Sequence, residues 1–178
     1  MGSEKKEKKE KKEKKHDEEG SAAAAAAEQE EGPSYEQRCQ SVSAIAHPLA
    51  SKKLTKKVYK AIKKASKAKG VKRGVKEVIK ALRKGSKGIV VLAGDISPID
   101  VITHLPVLCE ENSVPYIYAP SKQDLGAASN TKRPTSCVMV VTPSSLKNKE
   151  AAGEYKESFD ELNTEVKELN SKMITTVA

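Results

Sequence analysis

Glu77 is the only acid between Lys52 and Lys87, a stretch that holds sixteen lysines and arginines. It lies in GVKRGVKEVIKALRKG, from Gly70 to Gly85, three residues after a glycine and at the start of an apolar period that reads as a helix. A helix N-terminus gathers phosphate through unpaired backbone N–H groups and its dipole, and a carboxylate there accepts hydrogen bonds from the edge of a base. Such a pairing predicts contact with RNA. A face that served only solubility would mix acids among its bases, so the uninterrupted positive block favours a nucleic-acid footprint over a solvated lysine-rich surface.

Asp95, Asp100 and His104 are the other residues whose types suit acid, base or metal-ligand work, since Asp100 and His104 stand four apart on one helical face. Against this, a carboxylate after a strand commonly orders a loop, and a single His in an apolar helix is usually a packed, hydrogen-bonded side chain. The sequence contains no Gly-x-Ser-x-Gly elbow, no G-x-x-x-x-G-K-S/T phosphate loop and no Cys/His zinc pattern. Cys39, Cys109 and Cys137 are odd in number and far apart, which predicts reduced thiols in an intracellular compartment, with Cys109 and Cys137 in the core. No catalytic residue, metal or cofactor is expected. With no Trp and one Phe, Phe159, modules that stack single-stranded bases on aromatic platforms are disfavoured.

The elements that must position these residues follow from periodicity. Residues 1–32 carry a KKE repeat and six alanines, Ala22 to Ala27, without a branched apolar or aromatic side chain. They cannot bury enough surface to offset their ordering entropy and are expected to be disordered, serving as a nuclear or nucleolar address, as a solvating tail, or as a transient charged helix. No segment approaches the length of a membrane span, and no signal peptide is expected before the core. A domain over residues 33–148 should then contain a helix over 52–69, a very short strand at 71–73, a helix from near Gly74 to Gly85, and the buried strand GIVVLAG, Gly88 to Gly94.

Ser97 and Pro98 read as the cap and first turn of a helix reaching Glu111, interrupted or kinked at Pro106. Val114 to Tyr118 reads as a strand, Ser121 with Asp124 as a capping-box start to a short helix, 126–134 as a loop, and Cys137 to Thr142 as the last strand. Residues 149–178 form an acidic amphipathic helix whose stripe, Tyr155, Phe159, Leu162, Val166 and Leu169, packs on its own domain or on a partner. Alternating helices and strands predict an α/β fold, a three-layer α/β/α sandwich around a small mixed sheet of about four strands.

Three blocks, GVKRGVKEVIKALRKG, LAGDISPIDVITHLPVLCEENSVPYIY and SKQDLGAASNTKRP, together resemble the kink-turn-binding ribosomal-protein family, over residues 48 to 142. Within it, Lys76-Glu77, HLPVLCE and PYIY are similar to the branch that serves the H/ACA ribonucleoprotein, which converts uridine to pseudouridine in ribosomal and spliceosomal RNA. The resemblance implies a non-catalytic RNA-binding subunit in the nucleus and nucleolus that holds the upper stem of H/ACA guide RNA. Its implied partners are a pseudouridine synthase subunit, a small adaptor subunit and a Gly/Arg-rich subunit, with no membrane and no small-molecule substrate. A box C/D or ribosomal kink-turn protein is the other reading. Carried onto this sequence, the RNA-contacting positions fall on Gly74, Glu77 and Lys80, flanked by Lys72, Arg73, Lys76 and Lys84, and on Thr131, Lys132, Arg133 and Pro134 of the loop. Two departures stand out: most family members have Asn where this chain has Lys76, and Thr131 stands where a small aliphatic group usually meets an extruded base. Lys offers only donors on a mobile charge, so selectivity for the kink-turn is expected to weaken.

Overall fold

The computed structural model describes residues 34–145 and 149–177, of which Ser34 onward forms one compact unit. The tail expected over 1–32 lies outside the described residues. Helix α1, Tyr35–Gln40, opens the unit and is followed by α2, Lys52–Lys67; strand β1, Val71–Arg73; α3, Val75–Arg83; and β2, Gly88–Ala93. After these come α4, Asp100–Glu111; β3, Tyr116–Ala119; α5, Lys122–Ala128; β4, Cys137–Val141; and α6, Lys149–Val177.

Among the described residues the four strands make one mixed sheet in the order β1-β4-β2-β3. β4 runs antiparallel to both β1 and β2, and β2 and β3 are parallel. Every residue of β2 and β4 is buried, as expected for central strands covered on both faces. One layer is built on Val58, Ile62 and Ala65 of α2, Leu125 of α5, and Tyr155, Phe159, Leu162 and Val166 of α6, against Val91, Ile117 and Val138 of the sheet. On the opposite face, Val78 and Leu82 of α3 meet Ile102, Leu105 and Cys109 of α4 over Val90, Leu92 and Met139. Alternation along each strand sends neighbouring side chains to opposite layers, so an almost continuous apolar run serves two cores.

The acidic helix therefore finds its partner within its own unit. Tyr155 donates from its buried hydroxyl to the Val141 carbonyl at 3.0 Å, and α6 lies along α2 through Lys57 with Glu165 and Lys64 with Ser158. The outer edge of β3 is covered by residues 48–50, since the Tyr118 N–H donates to the Pro48 carbonyl and the Ala50 N–H to the Tyr118 carbonyl. That short pairing blunts an edge otherwise open to association.

Several local expectations change. Strand β3 runs Tyr116–Ala119 rather than Val114 to Tyr118. Helix α4 begins at Asp100 rather than at Ser97, and no side chain caps it; Ser97 and Pro98 belong to the preceding bend. Pro106 lies inside α4 without ending it. Gly126 to Ala128, assigned to the loop by sequence, form the last turn of α5, because Leu125 and Ala128 are drawn into the core. Truncation of Phe159 to Ala is expected to lower the unfolding free energy by about 3 to 5 kcal/mol, read as a drop in the urea midpoint at constant slope.

Candidate nucleic-acid interface

The turn from β1 into α3 is set by Gly74, whose φ of +82° lies in the left-handed region that side chains rarely adopt. Its N–H donates to the Cys137 carbonyl at 2.9 Å, which fixes the turn to the first residue of β4. Helix α3 starts immediately after, with no side-chain cap on its first N–H groups. Lys76 and Glu77 in this first turn are exposed. The N-terminus is therefore ready to receive an anion.

Glu77 is at the third position of α3, and its Oε2 accepts from the backbone N–H of Arg73 at 3.1 Å. This is one half of a capping box, displaced by one residue: the usual donor to such a carboxylate, the N–H of the cap residue, is already held by Cys137. The carboxylate is exposed and uses one lone pair on Arg73, so it keeps acceptor capacity facing solvent.

Arg73 does a second thing. Its guanidinium Nη1 donates to the Ser129 carbonyl at 3.0 Å, and the hydroxyl of Ser66, from the last turn of α2, donates to the same oxygen at 3.2 Å. The loop after α5 is thereby tied to β1 and to the end of α2. Ser129 is itself fully buried and its hydroxyl donates to the Leu125 carbonyl at 2.8 Å. Beyond it, Asn130 has a positive φ of 60°, the Thr131 N–H donates to the Gly126 carbonyl, and the Thr131 hydroxyl lies 3.0 Å and 3.1 Å from the carbonyls of Gly126 and Arg133. A Cβ on Gly126 would sit 2.3 Å from the Arg133 carbonyl oxygen, so the loop can close against α5 only over a glycine.

The residues named from sequence thus fall into three places. Arg73, Gly74 and Glu77 form the turn, joined through Arg73 to the loop that holds Thr131, Lys132, Arg133 and Pro134, of which the last three are exposed. Lys76 and Lys80 rise one turn apart on α3, and with Ile79, Arg83 and Lys84 they line an open hollow of about 490 Å³. Lys72 is exposed on β1. Lys84 lies at the far end, about 12 Å along the axis from Lys76 by helical rise. Arg83 was not singled out by sequence, although its spacing of seven from Lys76 marks the same face. Ser129 could not have been singled out, because it contributes a main-chain carbonyl to a residue 56 positions away.

The residues weighed for catalysis serve the scaffold or face solvent. Asp95 accepts from the Lys122 N–H at 2.8 Å, closing the β2 loop onto α5, while Asp100 and His104 are exposed. Among the described residues no cluster of three or more His, Cys, Asp or Glu side chains is placed to hold a metal ion. Burial pushes the thiols of Cys109 and Cys137 up to about 12, leaving them protonated and unreactive at neutral pH.

Residues 56–150 match the ribosomal protein L7Ae/L30e/S12e/Gadd45 family. The chain is 63% identical to the H/ACA ribonucleoprotein complex subunit nhp2 of Schizosaccharomyces pombe over 48% of its own length and 56% of that protein's, so it spans little more than half of that relative. It is 50% identical to H/ACA ribonucleoprotein complex subunit 2 of Bos taurus over 79% of this chain and 86% of the other. Among solved structures it is similar to the 15.5kD RNA binding protein of Giardia lamblia, with a TM-score of 0.63 and 28% identity over 72% of this chain and 99% of the other.

Replacement of Gly126 by Ala is expected to push the Arg133 carbonyl away and loosen the loop. Hydrogen exchange at the Thr131 amide should accelerate by at least about tenfold, for a local destabilisation near 1.4 kcal/mol, with core amides of β2 and β4 little changed.

Proposed function

The chain belongs to the ribosomal protein L7Ae/L30e/S12e/Gadd45 family, and from that premise we propose that it is a non-catalytic RNA-binding subunit of the H/ACA ribonucleoprotein that guides pseudouridylation. The observation that carries the reading is the Arg73 junction, which holds an uncapped helix N-terminus, an exposed carboxylate and a closed loop side by side within a positive surface. Each part then has a distinct role. The first N–H groups of α3, with Lys72, Lys76 and Lys80, receive phosphate; Glu77 accepts from the Watson–Crick or sugar edge of a base; Thr131 and its neighbours cover a base turned out of the stack.

Arg73 is a positioning residue. Its guanidinium is engaged by the Ser129 carbonyl, so it orders the loop rather than adding a free charge. Lys76 supplies charge where an amide would read two groups of a nucleotide at once. A donor-only side chain cannot make that paired contact, and RNA is held by its irregular stem and backbone more than by the kink-turn itself. Thr131 has its hydroxyl committed within the loop, which leaves its methyl as the group available to an extruded base.

In this role the chain holds the upper stem of the guide RNA within the nucleus and nucleolus. The pseudouridine synthase subunit performs the chemistry, and a small adaptor and a Gly/Arg-rich subunit complete the particle. The names of the relatives in two organisms support the assembly, and the geometry supports the RNA contact.

The double variant Lys76→Gln, Lys80→Gln is expected to weaken binding of a guide-derived stem-loop by about 10- to 100-fold at moderate salt, and to reduce the salt slope by about 1 to 2. Fluorescence anisotropy at several salt concentrations measures both. Unchanged affinity and slope would remove the proposed site. A second comparison, in which the unaltered chain binds a kink-turn more than about a hundredfold tighter than an irregular stem, would overturn the reduced selectivity assigned to Lys76.

A further inference from the structure

The sixteen basic residues do not form one surface. Helix α2 carries eight lysines, and its buried positions, Leu54, Val58, Ala61, Ile62 and Ala65, turn one face to the core. On one flank Lys57 pairs with Glu165 and Lys64 donates to Ser158, both on α6. Ser66, on the other flank, donates to Ser129. At 3.6 residues per turn five of the six remaining lysines, Lys52, Lys56, Lys60, Lys63 and Lys67, fall within about 80° of arc on the side opposite the core, while Lys53 lies just outside that arc toward the α6 flank.

All five are exposed, and among the described residues none has an acidic partner. They extend about 22 Å along the axis. The arrangement works against the helix that carries it. Lys52 and Lys53 occupy the first turn, where the dipole disfavours cations and where no acid is present. Lys52, Lys56 and Lys60, and likewise Lys63 and Lys67, repeat at four-residue spacing, which places like charges side by side. The outer face of α6 mixes Glu157, Asp160 and Glu161 with Lys156, so the chain does intersperse signs where only solubility is needed.

The location of the ridge gives it a meaning. Its C-terminal end meets the interface, because Ser66 and Arg73 share the Ser129 carbonyl as acceptor. It then runs away from the loop along the layer opposite α3. Lysine is a compact, mobile point charge without the planar fork that reads bases, and α2 presents no exposed aromatic among these positions, so the chemistry suits a phosphate backbone irrespective of sequence.

We infer that the lysine ridge of α2 is a second RNA-binding surface, a track for the sugar-phosphate backbone of a duplex that continues past the α3 and loop site. The inference rests on the RNA-binding reading above but concerns residues outside that site. RNA long enough to reach along α2 gains affinity from the ridge, and a short stem-loop does not.

The test uses the full chain and two RNAs, a stem-loop that ends at the site and the same stem-loop with its duplex lengthened beyond the ~22 Å of the ridge. In the variant Lys52→Gln, Lys56→Gln, Lys60→Gln, Lys63→Gln, Lys67→Gln, whose fold is checked by circular dichroism, short-RNA binding should stay within about twofold. Binding of the long RNA should fall by about 10-fold or more, and its salt slope by about 3 to 4, near 0.9 for each phosphate that is no longer neutralised. The matching set of Lys→Arg changes should keep the long-RNA slope. An unaltered long-RNA slope in the Gln variant overturns the ridge while leaving the α3 site standing. If the Lys76, Lys80 variant releases both RNAs and the ridge variant releases neither, the ridge is likewise excluded. Should the ridge variant bind both RNAs normally but fail to be retained in the assembled particle, the ridge is a protein-docking surface and the inference is wrong.

Discussion

One arginine joins the two halves of the interface. The backbone N–H of Arg73 orients Glu77, and its guanidinium holds the Ser129 carbonyl, so helix α3 and the loop after α5 take their relative position from a single residue at the end of the shortest strand. Hydrogen bonds with one ionised partner are stronger than neutral ones, and this one is partly buried, where water competes less. Arg73 is for that reason more valuable as a strut than as another positive charge. Lysine could not replace it in both roles without losing the directional N–H that the carbonyl needs.

Strand β4 supplies the second constraint. Among the described residues it alone has a neighbour on each side that runs antiparallel to it, and its first residue, Cys137, receives the Gly74 N–H. The loop that ends at Cys137 and the turn that begins at Gly74 thus converge on one buried point. Close approach of Gly126 to the Arg133 carbonyl then closes the loop from its other side. The exposed side chains of the interface need no rigid partners of their own, because the backbone beneath them is fixed by the sheet. Helix α6, long and mostly acidic, contributes by sealing the layer that holds α2 and α5.

Much of this order was legible in the sequence because it is written in local periods. The i, i+3, i+4 spacing of α2 and α3 and the unbroken apolar run of β2 identify themselves, and the glycine before Glu77 marks a helix start. What escaped is carried by contacts between distant segments. Helix α1 is six residues long, too short to show a period, and it is held by Tyr35 donating to the Ala50 carbonyl and by the ion pair of Arg38 with Asp124. That pair also explains why Asp124 does not complete the capping box read at Ser121: its carboxylate is turned to Arg38, and only the Ser121 hydroxyl caps the helix. Ser97-Pro98 carried a start signal that the chain did not use, since burial of Ile102 and Leu105 fixes where α4 can begin. Charge counting, likewise, summed lysines that the fold sends to different faces.

That separation changes how the positive charge should be understood. Arg73, Lys57 and Lys64 are engaged within the protein, and Lys87 donates to the Asn112 carbonyl at 2.8 Å, so part of the block is structural. Most of the rest divides between the α3 hollow and the outer face of α2, with Lys53, Lys69 and Lys72 outside both. Unpaired lysines at four-residue spacing weaken the helix beneath them, yet α2 is held by an apolar face packed on the sheet and by α6, and can tolerate the repulsion. A polyanion laid along it removes that repulsion, so the unfavourable charge of the free protein becomes part of the free energy of association. Because each such contact releases a condensed counterion, the gain is greatest at low salt. On the proposed reading, affinity built this way would follow the length and path of an RNA, and the choice of RNA would be left to the few groups around Glu77.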